Sequence, residues 1–433
     1  GLVNAIRLQE TTYKSSGSVH GCALFQGDEM LMFVEDVGRH NAVDTIAGWM
    51  WMNDVSGQDK VFYTTGRLTS EMVIKSAQMG VPVVVSRSGI TQMGLDVAKR
   101  LDAEVRMGFE NFRTLTKEIE CEAYDGGHLY LAHRPKKLEY LREMTRVRNE
   151  VFGYRSRMLT PDEVREQHCD EREHVGAMYE EEGIGIHPLK FTFGLIRKAR
   201  ELGVKVHPAS PVQGWTTVNG VHHLRTPGGT VRAKRVAVCT GGYTGQALNP
   251  LTKNKLLPIL SNNMVTQPLS PAQIEAAGLK TRVFLTDTRT LRFYYRLLPD
   301  NRLQIGSRSA VTGAEAPEPK HLKLLTDGIA RKFPTLAGIP IDHSWWGWVD
   351  VSHDMMPRIT RPDPKETVWH ALGYGGNGVA SSTWAGKRIA EQVAGKDAGR
   401  EVMSLPIYNS PLEYPNIWNM VRSEAFAPFR RFG

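Results

Sequence analysis

Two groups of residues in the 433-residue sequence could do chemistry. The first lies in SSGSVHGCALF, VEDVGRHNAVDT and TTGRLTSEMV, where glycines and ionisable side chains crowd together. Glu35, Asp36, Arg39, His40, Asn41 and Asp44 fall at one expected strand end and Arg67 at another. Loops beyond the carboxyl ends of strands in an open α/β sheet collect backbone amides and helix N-termini, so such a cluster suits an anionic ligand. The same residues equally suit a structural network, with Asn41 or Asp44 capping a helix and Arg39 pairing with Glu35. His20, Glu35 and His40 lack the paired spacing of a metal site, and no metal is expected. Cys22 beside His20 is open to two readings, nucleophile or core.

The second group is Gly373-Tyr-Gly375-Gly376-Asn377-Gly378, which fits G-x-G-x-x-G between an apolar strand and a helix. A dinucleotide unit needs a further strand and helix after the motif, and only about 55 residues follow, ending in the irregular PLEYPNIW tail. Two readings stay open: a single glycine turn laid against a cofactor ring, or close helix–strand packing.

Lys and Arg number 54 against 46 Asp and Glu, a formal charge of +8. Residues 1–108 hold ten basic and twelve acidic side chains, so the basic excess lies entirely in the remainder. That excess suits a phosphate-bearing cofactor or an anionic metabolite, and without a Lys/Arg stripe interleaved with aromatics no nucleic-acid partner is expected. The composition, 41% hydrophobic and 23% charged, excludes disorder, collagen and a coiled coil, and the length predicts two to three domains. No apolar run approaches the roughly 18 residues of a membrane span. Four cysteines, Cys22, Cys121, Cys169 and Cys239, have no close spacing, which excludes a disulfide framework and places the expected compartment in the reducing cytoplasm. The chain opens on Gly1 rather than methionine, which leaves room for an upstream segment.

Those groups need positioning elements. Strands are expected at 29–35, 61–65 and 81–86, alternating with helices at Asn41–Met52, Ser70–Met79 and Gln92–Leu101, a small α/β layer with a mostly parallel sheet. Helices follow at Lys136–Phe152, at Thr160–His168 with Pro161 in the first turn, and at Lys190–Leu202 ending on Gly203, then a strand at VKVHP. A hairpin around Pro227-Gly228-Gly229 leads to the strand RVAVCT, more strands cover 281–307, and a last strand-to-helix unit ends the pattern. The texture changes near 105–120, which predicts two modules, 1–108 and 109–433.

SGSVHGCAL, EDVGRHNAVD and GRLTSEMVIKSAQMGVPVVVSRSGITQMGLDVAK resemble the formate dehydrogenase accessory (FdhD) family over nearly all of 1–108. The resemblance implies a deaminase-like α/β fold, a homodimer through this module and a pocket for the guanine nucleotide of the molybdenum cofactor. Its residues would be His20, Asp36, Gly38, Arg39, His40, Asn41 and Arg67. That family transfers sulfur from a Cys-x-x-Cys loop, and no Cys-x-x-Cys occurs in this chain.

Farther on, IHPLKFTFGLIRKARELGVKVHPASPV, GGTVRAKRVAVCTGGYTG, TRTLRFYYRLLPDNRLQIGS, WWGWVDVSHDMMPRI and WHALGYGGNGVASSTWAGKRIAEQVAGK stand in the order of the D-amino-acid oxidase-like flavoproteins. The resemblance covers about 115–433, with gamma-glutamylputrescine oxidase and related amine oxidases nearest. It implies FAD, a mixed or antiparallel substrate-domain sheet, and oxidation of a C–N bond in a small amine or amino acid. Cofactor residues would be Val212, Thr240, Gly241, Gly373, Gly375, Gly376, Gly378 and Val379. Tyr295, Arg296, Trp346 and Asn377 would face substrate; no catalytic residue is singled out. Tyr295 and Trp346 suit core packing as well, and Arg296 suits either a substrate carboxylate or a strand-edge salt bridge. Members of the family open with a β-α-β unit whose G-x-G-x-x-G receives the FAD pyrophosphate; no such unit precedes residue 115, and Asn377 stands where relatives often carry His.

The sequence therefore predicts an α/β and α+β protein: a small deaminase-like module followed by an incomplete flavoprotein frame. An amine-oxidising flavoprotein is the expected function. A molybdenum-cofactor accessory protein and a non-catalytic or accidental fusion are the alternatives.

Overall fold

The computed structural model describes residues 9, 19–87, 92–244, 256–289, 291–308, 316–352 and 357–396. Cys22, Ala23, Leu24 and Phe25 are consecutive and fully buried, which requires a strand covered on both faces. That strand, His20–Gln26, is antiparallel to Glu29–Asp36 on one side and to Val61–Thr64 on the other. Val61–Thr64 and Val83–Ser86 are parallel, joined by the helix Ser70–Gln78, which Thr69 caps by accepting from the Met72 amide. The first sheet is mixed, which corrects the expectation of a mostly parallel layer. Its buried first strand is missing from the expected set, and the tight turn at Gly27, with φ of 61°, makes Glu29–Asp36 its antiparallel neighbour. Ala42, Val43, Ile46 and Met50 of the helix Arg39–Met52 cover this sheet.

A single 27-residue helix, Gln92–Glu118, spans the expected module boundary, so the change of texture falls inside an element. The described residues form two compact units that divide between Phe109 and Glu110 of this helix. Unit 1 holds the chain up to Phe109 together with Lys234–Cys239 and the residues from Val351 on; unit 2 holds Glu110–Ala233 and Thr240–Asp350.

Within unit 1, Val236–Val238 runs parallel to Val368–Leu372, which is antiparallel to Arg358–Thr360. Ile359, Trp369 and Ala371 of this sheet form a core with Trp384, Ala385 and Ile389 of the helix Gly378–Val393. Ile74 and Ala77 of Ser70–Gln78 and Leu101 of the long helix pack against the same core. Glu104, buried, accepts from Trp384 Nε1 at 2.7 Å and pairs with Arg388 at 3.1 Å, and the Arg388 guanidinium lies 4.2 Å from the Trp384 ring centroid. Gly108 leaves room for that ring: a Cβ there would lie 3.3 Å from Trp384 Cβ. Residues from both ends of the sequence thus share one interior.

Unit 2 is built on an eight-stranded sheet in the order Ile341–Val351, Leu257–Thr266, Leu303–Arg308, Phe293–Leu297, Phe284–Asp287, His128–Leu131, Ala177–Glu180, Arg157–Leu159. One face buries Leu129, Leu131, Met264, Leu285, Phe293, Tyr295, Leu297, Leu303 and Ile305 with the helix Pro319–Lys332. Helices over Pro135–Phe152, Pro161–Gln167 and Pro188–Glu201 follow the expected positions, the second opened by a Thr160–Glu163 capping box. Gly203, at φ of 84°, ends the last of them. The strand expected at VKVHP is absent: residues 204–208 find no partner ladder, and Val204 is exposed. A separate antiparallel meander, Gly214–Val218, Val221–Thr226 and Gly229–Ala233, contains the expected hairpin.

Candidate active site

The glycine motif forms a turn off a fully buried strand. All five residues of Val368–Leu372 are buried, and the chain then passes through Gly373, Gly375 and Gly376 at φ of 83°, 61° and 99°, conformations that side chains resist. Ser352 Oγ donates to Gly373 O and Asn377 N to Tyr374 O, fixing the turn. Asn377 is the N-cap of Gly378–Val393 but its side chain makes no capping bond. The first amides of that helix therefore have no side-chain cap from Asn377, and Gly376, Asn377 and Val379 beside them are exposed. A flat polar ring carrying negative charge fits such a donor set. Gly378 itself is not sterically obliged, since a Cβ would stop 3.7 Å from Tyr374. Val236–Val238 runs parallel beside Val368–His370, so Thr240 and Gly241 follow a carboxyl end at the same sheet edge. Gly241 has φ of 52°, and Thr240 Oγ1 bonds Thr244 Oγ1 at 2.7 Å. Val212 is half-buried ahead of the meander.

In unit 2 the second face of the large sheet is polar. Register aligns Ser261 with Arg308, Asn263 with Gly306, Gly306 with Tyr294, and Tyr294 with Thr286, which pairs with Tyr130. The Tyr294 ring crosses Gly306, where a Cβ would fall 2.3 Å from both Tyr294 Cε2 and Asn263 Oδ1, and its hydroxyl meets Ser261 Oγ. Arg296 shares this face, but its Nε donates to Gln304 at 3.0 Å, its Nη2 to Ile186 O at 3.1 Å, and its plane rides over Phe284. Tyr295 points the other way, into the core, edge-on to Phe333 and 5.0 Å from Lys332 Nζ. Trp346 is exposed on Ile341–Val351, as is its neighbour Trp345.

Tyr294, Arg292, Arg308, Tyr130 and His128 went unmarked in the sequence, although a signal was there. Phe293, Tyr295 and Leu297 alternate with Tyr294 and Arg296, and period 2 assigns the apolar set to the core.

Burial pushes the Tyr294 phenol up, and pushes that of Tyr130 up to about 12 with help from Glu180. Burial, with Arg292 and Arg148 nearby, holds the His128 imidazole down at about 4, and its Nε2 lies 2.9 Å from Thr286 Oγ1. The face thus presents neutral hydroxyls and a neutral imidazole at pH 7.

The structure brings most of the first module's predicted residues together. His20 pairs with Asp36 across the hairpin; Asp36 Oδ1 accepts from Gly38 N at 2.7 Å and Asn41 Nδ2 at 3.1 Å. Arg39 and His20 close over Gly66, where a Cβ would lie 3.1 Å from Arg39 Cδ and 3.2 Å from His20 Nδ1. His40 Nδ1 is 3.5 Å from Glu71, and Arg67 is exposed. Asp36 therefore organises the turn into Arg39–Met52, while Asp44 pairs with Lys75 at 2.8 Å. Cys22 is buried with its thiol pushed up to about 11, a core residue and no ready nucleophile.

A family model described as FAD dependent oxidoreductase matches residues 63–392, and the FdhD/NarQ family model matches residues 1–109. Gamma-glutamylputrescine oxidoreductase of Escherichia coli is 30% identical over 323 residues, covering 73% of this chain and 74% of that protein. Sulfur carrier protein FdhD of Halalkalibacterium halodurans is 35% identical over 122 residues, 27% of this chain and 45% of that protein, so the chain spans under half of that relative. The solved L-proline dehydrogenase from P. horikoshii superposes with a TM-score of 0.60 at 19% identity, over 70% of this chain and 82% of that one, a likeness of fold. The chain belongs to the FAD dependent oxidoreductase family of D-amino-acid oxidase type, with a segment of FdhD/NarQ kind at its amino terminus.

Proposed function

We propose that the protein oxidises a carbon–nitrogen bond of a small amine or amino acid, giving an imine that hydrolyses. The observation that carries this reading is the Gly373–Gly378 turn, open at the end of a buried strand and leading into an uncapped helix. FAD, when bound, supplies the hydride acceptor. The uncapped amides that open the helix Gly378–Val393, with the positive end of its dipole, would hold the polar edge of the ring. In unit 2, taken by itself, Tyr294 is hydrogen-bonded to Ser261 and kept protonated by burial, so it gives the polar face a neutral donor. His128 stays neutral at pH 7 and takes no proton from an ammonium there. The residues at the turn fit the ring end of the cofactor. The pyrophosphate end is not matched: the β-α-β unit from Val61–Thr64 to Val83–Ser86 lies in a different sheet from Val368–Leu372 and has no G-x-G-x-x-G in its strand-to-helix loop.

Purification in the presence of FAD, followed by visible spectroscopy and a peroxide assay over an amine and amino-acid panel, tests the proposal. Flavin bands and peroxide from one substrate class are expected. A colourless protein that cannot be reconstituted overturns it. Cytoplasmic residence and a homodimer through the first module belong to the same reading. Among the described residues no helix is long and apolar enough to cross a membrane. A guanine-nucleotide site at His20, Arg39 and Arg67 is the second reading for that module, and equilibrium dialysis with GDP checks it.

A further inference from the structure

The ring and the pyrophosphate of a flavin dinucleotide make different demands on a protein. A ring needs a flat approach and a few donors at its polar edge, whereas a pyrophosphate needs several backbone amides converging at a strand-to-helix turn, with glycines letting the chain come close. Unit 1 meets the first demand at the Gly373–Gly378 turn, where Gly376, Asn377 and Val379 are exposed and the helix Gly378–Val393 opens without a side-chain cap. That turn is not part of a dinucleotide unit. Both neighbours of Val368–Leu372, namely Val236–Val238 and Arg358–Thr360, precede it in the chain, and among the described residues no strand follows the helix.

The β-α-β unit from Val61–Thr64 to Val83–Ser86 belongs to the other sheet, and the backbone of its turn is already engaged. Thr65 N donates to Gly21 O at 2.8 Å, Gly66 N to Thr64 Oγ1 at 3.1 Å, and Met72 N to the capping Thr69 Oγ1 at 3.4 Å. Arg39 and His20 lie over Gly66, the single glycine of that turn, so its backbone offers a pyrophosphate neither amides nor a close approach. The turn into Arg39–Met52 holds a carboxylate of its own, since Asp36 accepts from Gly38 N and Asn41 Nδ2.

We propose that this chain holds a flavin by its ring alone, so that riboflavin, FMN and FAD are equivalent ligands and the flavin exchanges with solution. The inference rests on the flavin reading of the Gly373–Gly378 turn and departs from the family resemblance, which implies a gripped dinucleotide. Two charge-assisted hydrogen bonds to a pyrophosphate would separate FAD from riboflavin by about a hundredfold or more, and the turns described above supply no backbone cradle for them.

Equilibrium dialysis of the full chain against riboflavin, FMN and FAD, read by flavin absorbance, tests this without turnover. Physiological ionic strength screens the formal charge of +8, which would otherwise favour the phosphorylated flavins. The three dissociation constants are expected to agree within about threefold, and excess ADP should displace none of the flavins. Asn377→Asp supplies the missing cap: its carboxylate takes the first amides of the helix, and it should raise the melting temperature while weakening all three flavins alike, by roughly tenfold. FAD binding more than about tenfold tighter than riboflavin, or displaced by ADP, overturns the inference and leaves the flavin reading standing. Binding by none of the three, or affinities unchanged in Asn377→Asp, overturns the flavin reading of the turn and the inference with it. Should Asn377→Asp fail to fold, the order of affinities in the parent chain decides alone.

Discussion

Two buried charge clusters differ in what they join. In unit 2, Lys332 is fully enclosed and lies 3.1–3.2 Å from Glu171, Glu173 and Asp287, all from the segment that resembles flavoproteins. In unit 1, Glu104 comes from the long helix Gln92–Glu118, while Trp384 and Arg388, its partners, come from the last described helix. A buried carboxylate is costly unless it is paired and hydrogen-bonded. A segment merely strung onto another chain would leave such a residue in water. Glu104 instead has a donor on each side, Leu101 packs into the same core, and Gly108 makes room for the indole. The two clusters therefore obey the same rule, which argues that the amino-terminal module is a structural part of the flavoprotein frame rather than an accidental addition.

That comparison can be broken. Lys332→Met strands three acidic groups in the core and should cost about 3–5 kcal/mol in urea unfolding of the whole chain. Trp384→Ala should cost about the same by removing the ring around which unit 1 closes. If the module is only tethered, Trp384→Ala will instead split unfolding into two transitions, with the module's own midpoint unchanged. Glu104→Gln keeps the shape but loses the ion pair, and about 1–3 kcal/mol is expected.

Smaller effects sharpen the contrast between the two faces of the large sheet. Tyr294→Phe should lower kcat/KM by about tenfold with little loss of stability, because it removes a donor from the polar face. Tyr295→Phe should leave turnover nearly unchanged, since that hydroxyl is enclosed in the core. Last comes pH. His128 is held at about 4 in the folded chain against its ordinary 6.5, so the unfolded chain takes the proton first as pH falls. Stability from this group is complete above pH 6.5 and lost between 6.5 and 4, and His128→Gln should flatten that part of the melting-temperature profile.

Much of the fold was legible because local rules act over a few residues. Thr160 with Glu163, Pro161 and Gly203 mark helix ends that the structure keeps. The strand-turn-helix around Gly373 was likewise visible from glycines between an apolar run and an amphipathic one. The first strand, His20–Gln26, was missed because its apolar run, CALF, is only four residues long and follows a glycine, too short for a pattern to assign. The strand expected at VKVHP failed for the opposite reason: its β-branched residues have the propensity but no neighbour to pair with.

The candidate site divides the same way. Residue types, spacing and motif order determined by themselves that a glycine turn would end a buried strand and that aromatic and basic residues would crowd 291–308. Which of Tyr294 and Tyr295 reaches the polar face depended on strand register, since a shift of one residue exchanges the two faces of a strand. The meeting of Glu104 with Arg388 across 284 positions of chain exists only once distant elements pack together. Burial and charge neighbours are sums over contacts far apart in sequence, and only the tertiary structure performs that sum.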